Sequence, residues 1–151
     1  MSDGQYVVFK LGQEEYGIDI MNVSEISMYQ EIIKVPNVPS FIEGIINYRG
    51  SVIPIICLAK RFSIEPKEVN NNTRIIIINL EDRQVGFIVD EASSTIRINS
   101  EDIDPTPNIT SNIDMKYIKG VGKPNNRLII LVDLEKVLTN EEINEVQSVN
   151  A

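Results

Sequence analysis

Two stretches of this chain repeat each other in order. Val7…Gly17-Ile18-Asp19-Ile20…Val23 aligns with Ile76…Gly86-Phe87-Ile88-Val89…Ala92 at one constant offset. Further on, Val52-Ile53-Pro54-Ile55-Ile56-Cys57-Leu58 aligns with Leu128-Ile129-Ile130-Leu131-Val132-Asp133-Leu134 at a slightly larger one. Chance can produce one match between Ile-rich segments; two in the same order point to an internal duplication. Each copy reads strand, turn, strand around a Gly, further strands, then a strand running into a short helix. Two copies are too few for a solenoid. They fit two small β-barrels packed together, each too small to be stable alone.

The local pattern agrees. Tyr6 to Leu11, Tyr16 to Ile20, Ile45 to Tyr48, Val52 to Ile56, Ile75 to Leu80, Val85 to Val89, Ser94 to Ile98 and Arg127 to Val132 are short, mostly β-branched runs bounded by turn residues. Such runs read as strands and hairpins. Helical signals are fewer. Leu58 to Phe62 and Leu134 to Leu138 predict one or two turns each, and Ser40 to Glu43 a further single turn. Thr139-Asn140-Glu141-Glu142 matches a capping box, predicting a terminal helix from about Asn140 to about Gln147. Asn70-Asn71-Asn72 predicts a linker, because Asn favours turns. Asp102 to Asp114, with Pro105 and Pro107, predicts a second loop. The chain is therefore expected to be one domain, 1–151. Its approximate halves are 5–69 and 73–138, with strand exchange between them allowed, and 139–151 form a helix and tail.

Composition removes whole classes of function. The 151 residues contain no His. That excludes a Ser-His or Cys-His nucleophile, a His general base, a His metal ligand and a His phosphoacceptor. Cys57 is the one cysteine, so no intramolecular disulfide or cysteine metal cluster can form. The net charge of −8 opposes a polyanion partner, since phosphate contacts need clustered Lys and Arg. The start, Met1-Ser2-Asp3-Gly4-Gln5, lacks a signal peptide's basic and apolar regions. No apolar run approaches the ~18 residues of a membrane helix. A soluble, unexported protein without cofactor or metal is expected.

Asn47-Tyr48-Arg49-Gly50 is the sharpest local feature. Gly50 can supply the positive backbone angle of a tight hairpin. Arg49 then either points into water or presents a two-pronged donor to a partner's carboxylate or backbone oxygens. Pro54 lies within a strand-like run and cannot donate to a ladder, which predicts an edge or bulged strand. The carboxylates of Glu14, Glu15 and Asp19, of Asp90 and Glu91, and of Glu101, Asp102 and Asp104 read first as ordinary solvated turns and faces, with an acid–base enzyme as the competing reading. Gly120-Val121-Gly122-Lys123 lacks the spacing of a phosphate loop, so its glycines predict a strand approach or bulge. Cys57 reads as a small buried apolar residue. No nucleophile, base and stabiliser assemble.

At this point the sequence resembles the CheW family of chemotaxis coupling proteins. The matching stretches are Phe9 to Ile20, Val23 to Ile26, Pro39 to Gly50, Val52 to Leu58, Val85 to Asp90 and Leu128 to Leu134. Together they span about Tyr6 to Leu138, and their order and spacing carry the match. The family usually has Leu at Tyr48 and often Asp or Asn at Cys57.

The resemblance implies a mainly β fold of two five-stranded SH3-like β-barrels with short helices. It implies no catalysis. It implies an adaptor linking the cytoplasmic tips of transmembrane chemoreceptors to the regulatory domain of the histidine kinase CheA, in arrays at the inner face of the membrane. A CheW-like scaffold in a non-chemotaxis two-component array is the alternative. By position it places Val7, Ile20, Val23 and Ala92 at an apolar receptor groove between the barrels, where ordinary core is the competing reading. Arg49 matches the family arginine; whether it contacts a partner or braces its hairpin stays open at this stage. A paired-carboxylate enzyme and a single-strand nucleic-acid binder are the competing classes. The second needs a basic groove with stacking aromatics, which the 6% aromatic content and negative charge oppose.

Overall fold

The structure, a computed structural model, describes residues 4–37, 42–80, 83–105 and 117–137. Its strands are β1 (Gly4–Leu11), β2 (Glu14–Asp19), β3 (Val23–Met28), β4 (Ile42–Tyr48), β5 (Ser51–Cys57), β6 (Arg74–Leu80), β7 (Arg83–Val89), β8 (Glu91–Ile98), β9 (Ile103–Asp104), β10 (Ile118–Gly122) and β11 (Ile129–Val132). One helical turn, α1 (Leu58–Arg61), follows β5, and 3-10 turns cover Ile20–Asn22, Ser100–Asp102, Pro124–Asn126 and Leu134–Val137. The fold is mainly β, as the runs of Ile and Val require.

The strands form two sheets, in the orders β8-β1-β2-β11-β10-β9 and β3-β6-β7-β5-β4. Neither sheet is one half of the sequence. The β1–β2 hairpin of the first half lies among strands of the second, and the β6–β7 hairpin lies among strands of the first. This exchange is reciprocal to the residue. Val23 faces Ile78 and Glu25 faces Ile77; at the duplicate positions Ala92 faces Phe9 and Ser94 faces Val8. Both ladders slip by one residue at that step. The parallel pairs repeat in the same way, Gly17 facing Leu131 and Gly86 facing Ile55. So do the hairpins β4–β5 and β10–β11, in which Gly44 faces Ile55 and Gly120 faces Leu131, each after a bulge.

The glycines at the parallel pairs permit close approach. A Cβ on Gly17 would lie 2.9 Å from Leu131 Cδ2, and one on Gly86 would lie 2.6 Å from Ile55 Cδ1. At those distances a neighbouring side chain must move. Each hairpin therefore seats its Gly under a bulky apolar residue contributed by the other half. An aromatic series then ties the halves together through the core. Phe9 stacks on Tyr16 at 5.5 Å, Tyr16 meets Phe62 at 5.9 Å, and Phe62 stacks on Tyr117 at 5.8 Å. Each such contact adds about 0.5–1.5 kcal/mol beyond simple burial. Tyr16 is fully buried, and burial pushes its phenol well above the ordinary range.

Several expectations need correction. The first sheet has six strands rather than five, because Ile103 and Asp104, expected in a loop, pair as β9 with Gly122 and Val121. The matching contact in the second sheet is one bridge, Ile33 to Ile45, so that sheet keeps five strands. Among the described residues neither ladder closes into a hydrogen-bonded barrel; each sheet has two ends. Pro54 is not on an edge strand, since β5 lies between β7 and β4. Ile45 spends both its N–H and its C=O on Ile33 at 2.9 Å, so Ile45 and Pro54 form a non-hydrogen-bonded pair. The ladder to β7 begins only at Ile55. The missing donor of Pro54 thus costs neither ladder a bond.

Ile42 and Glu43, expected in a turn, open β4 instead. Asn70 does organise the linker: its Oδ1 accepts the Asn72 N–H at 2.7 Å, and its C=O accepts the Thr73 N–H at 3.1 Å. The terminal helix expected from about Asn140 to about Gln147 lies outside the described residues. Among the described residues, no helix is long and apolar enough to cross a membrane.

Candidate docking surfaces

The strand exchange creates two crossings where the chain leaves one sheet for the other. The first is the 3-10 turn Ile20–Asn22 between β2 and β3. Asp19 fixes its start, accepting the Met21 N–H at 2.9 Å. The second is Asp90 between β7 and β8. Its N–H donates to the Lys10 carbonyl at 3.0 Å, and its Oδ2 accepts the Gly12 N–H at 2.7 Å. Lys67 of the inter-half segment reaches the same carboxylate at 3.9 Å. Both turns are held by side-chain carboxylates that the sequence reading weighed as catalytic acids.

Ile20, Val23 and Ala92 sit at or just past these crossings, and all three are half-buried against the principal core. Val7 belongs to that same core and is 2% exposed. The structure thus packs all four on the principal core, Val7 buried within it and the other three half-buried at its margin. Met21 was missed by sequence reasoning. It projects from the first crossing at 85% exposure, next to Ile20. The unusual signal was an apolar side chain inside an otherwise turn-like Asp19 to Asn22 segment.

Arg49 stands at the tip of the β4–β5 hairpin. Its φ is +52° and that of Gly50 is +85°, two successive positive angles that define a type I′ turn. The duplicate turn uses Asn125 and Asn126 at +51° and +66°. Asn accepts this conformation readily, whereas Arg does so at a cost. The side chain offsets that cost. Its Nη1 donates to Glu25 Oε1 at 2.5 Å, and its guanidinium lies 5.0 Å from the Tyr48 ring centroid. The neighbouring Glu25 carboxylate raises the Tyr48 pKa. Arg49 therefore braces its hairpin, while 73% of its side chain stays exposed.

Apolar side chains surround this end of the second sheet. Ile26 projects outward from β3 and Val52 from β5, and Met28 stands at the other end of β3, opposite Arg74. Their counterparts on β8 are Thr95 and Arg97, both exposed, so this edge of the duplication is apolar in one copy only. Val52 and its duplicate Leu128 are both exposed apolar residues beside a hairpin tip.

The remaining candidates are structural. Glu15 takes a two-pronged bond from Arg127, at 3.3 and 2.7 Å, which ties β2 to the segment before β11 and raises the Arg127 pKa. Glu91 pairs with Lys10 at 3.8 Å. Among the described residues, no group of three or more acidic or cysteine side chains could hold a metal. A cavity of about 380 Å³ lies between Tyr29, Ile32, Cys57, Val69 and Ile88. Burial pushes the Cys57 thiol up, as suits a packed sulfur rather than a nucleophile.

Comparison with known proteins supplies the family. The CheW-like domain model matches residues 5–142. The chain is 39% identical over 145 residues to the chemotaxis protein CheW of Klebsiella aerogenes, covering 96% of this chain and 87% of that protein. It is 38% identical to the CheW of Bacillus subtilis, covering 89% and 86%. Among solved structures it superposes on the scaffolding protein TtCheW of Thermoanaerobacter tengcongensis. The TM-score is 0.81 at 38% identity, over 93% of this chain and 91% of that one.

Proposed function

The chain belongs to the CheW-like domain family, and from that premise we propose that it is a non-enzymatic adaptor coupling transmembrane chemoreceptors to the histidine kinase CheA. It works in the cytoplasm, in receptor arrays at the inner face of the membrane. Ile20, Val23 and Ala92, with Val7 beneath them, form the groove for the helical receptor tip. Arg49 and the apolar end of the second sheet face the kinase regulatory domain.

The observation that carries this reading is the clustering of half-buried apolar side chains at the two crossings. Val23 and Ala92 hold equivalent positions in the duplication, and both pack on the shared core. A contiguous apolar patch at a protein surface marks a place for a partner, and the duplicate positions of Val23 and Ala92 make one continuous face of the two crossings in this reading. A helix laid across both crossings would touch both sheets at once. A change of receptor geometry would then reach the orientation of the hairpin ends, which is how one protein conveys a coupling free energy, about 1–3 kcal/mol per linkage.

The test is a calorimetric titration of the protein with a receptor-tip helical hairpin and, separately, with the kinase regulatory domain. Saturable binding to both is expected. Val23→Asp should abolish the first and spare the second, with circular dichroism showing that the fold persists. No binding of either ligand by folded wild-type protein would contradict the reading.

A further inference from the structure

The chain presents its sulfur chemistry unequally. Cys57 is buried, and burial moves its thiol further above neutral pH. Among the described residues the methionines are Met21 and Met28, and both are exposed, at 85% and 69%. Met21 sits on the first crossing, its backbone fixed by the bond from its N–H to Asp19, beside Ile20. Met28 lies at the far end of β3, opposite Arg74 of β6. A thioether in this setting is an apolar contact that a peroxide can turn into a polar one.

We propose that the Met21 thioether is an oxidation-sensitive element of the receptor groove: its sulfoxide weakens docking, and docking shields it from oxidation. The inference rests on the groove assigned under Proposed function. In the reaction the sulfur lone pair attacks one oxygen of hydrogen peroxide. The S–O bond forms as the O–O bond breaks, and the departing hydroxide takes the proton of the transferred oxygen to leave as water. Sulfur is oxidised by two electrons and the peroxide is reduced by two. The product places an S=O dipole where the apolar face of a helix would lie, and that dipole is desolvated on docking. Docking also covers the thioether and so slows its attack by peroxide; this shielding is a rate effect, distinct from the loss of affinity. Methionine sulfoxide is reduced enzymatically, so the change is reversible.

The experiment treats the full chain with hydrogen peroxide, locates sulfoxides by peptide mass mapping and titrates the product with the receptor-tip hairpin. Oxidation at Met21 is expected to weaken binding about fivefold or more, the lower end of usual coupling, with recovery after treatment by methionine sulfoxide reductase. Met21→Leu should lose the sensitivity to peroxide, its own affinity being the same before and after treatment. Saturating hairpin should slow oxidation at Met21 and leave the rate at Met28 unchanged. Unaltered affinity with Met21 fully oxidised would overturn the proposal, as would a peroxide-sensitive Met21→Leu. Failure of the untreated protein to bind the hairpin would instead reject the groove itself, and this proposal with it.

Discussion

Arg49 and Glu25 come from opposite ends of the five-stranded sheet, and their side chains join those ends. Glu25 is on β3 and Arg49 in the turn that leaves β4, the two edge strands of that sheet. The backbone ladder does not close there, so the ion pair and the neighbouring Tyr48 do the closing. The duplicate positions, Ser94 and Asn125, carry no such pair of charges.

Replacing Arg49 by Asn copies the second turn into the first. The change relieves about 1 kcal/mol of left-handed strain and removes an exposed ion pair of about 0.2–1 kcal/mol. Stability measured by urea unfolding should therefore move by less than about 1 kcal/mol in either direction. Affinity for the kinase regulatory domain should fall several-fold. A large loss of stability would make Arg49 a purely structural residue.

Gly86→Ala should destabilise the protein by about 1–3 kcal/mol, the range for overpacking. The new Cβ would lie 2.6 Å from Ile55 Cδ1 and 2.8 Å from Ile75 Cγ2. Because the first of these atoms is a chain terminus, adding Ile55→Val should recover part of the loss. Additive destabilisation in the double variant would show that the contact across the β5–β7 pair is not the cause.

Cys57→Asn is expected to stabilise. In the second copy Asp133 Oδ1 accepts the Glu135 N–H at 3.0 Å, capping the turn that follows. Cys57 precedes α1 without any side-chain cap. Asn restores an acceptor without adding a charge beside Glu43. A gain of about 0.5–1 kcal/mol in unfolding free energy is expected; a lower unfolding midpoint would show that packing of the sulfur outweighs the cap.

Alkaline pH should weaken the fold. Cys57 is raised from 9.0 by burial, so above about pH 9 the unfolded chain releases a proton that the folded chain keeps. The unfolded state then binds fewer protons, and stability falls as pH rises. Tyr16, raised from 10.0 by burial, extends the loss to higher pH. Cys57→Val should remove the first part of the decline in a series of thermal melts between pH 7 and pH 11. An unchanged pH profile would assign the whole decline to other groups.

The strand runs, the duplication and the hairpin at Arg49 were legible because they are local. Each rests on side-chain periodicity or on a turn residue within a few positions. The strand exchange was not, since Val23 with Ile78 and Ala92 with Phe9 are pairings between distant segments that no local pattern encodes. β3 went unread because Val23 to Met28 mixes buried and exposed polar and apolar residues, Ser27 being buried and Met28 exposed. β10 is obscured by Gly120 and Gly122, which predict a bulge or strand approach; both the strand and its bulge are present. The place of Pro54 on an inner strand is not legible locally, because it depends on Ile45 turning its polar groups to Ile33; the bulge of the β4–β5 pair lies next to it, on β4. At the docking surfaces, the partner of Arg49 lay 24 residues away, beyond the reach of any motif.

The central claim is that one chain holds a receptor tip and a kinase domain together. Sedimentation velocity of the three components, labelled separately, tests it most directly. The account predicts a boundary containing all three, lost when this chain is omitted and lost again with Val23→Asp. Receptor and kinase fragments that sediment apart in the presence of folded wild-type protein would contradict it.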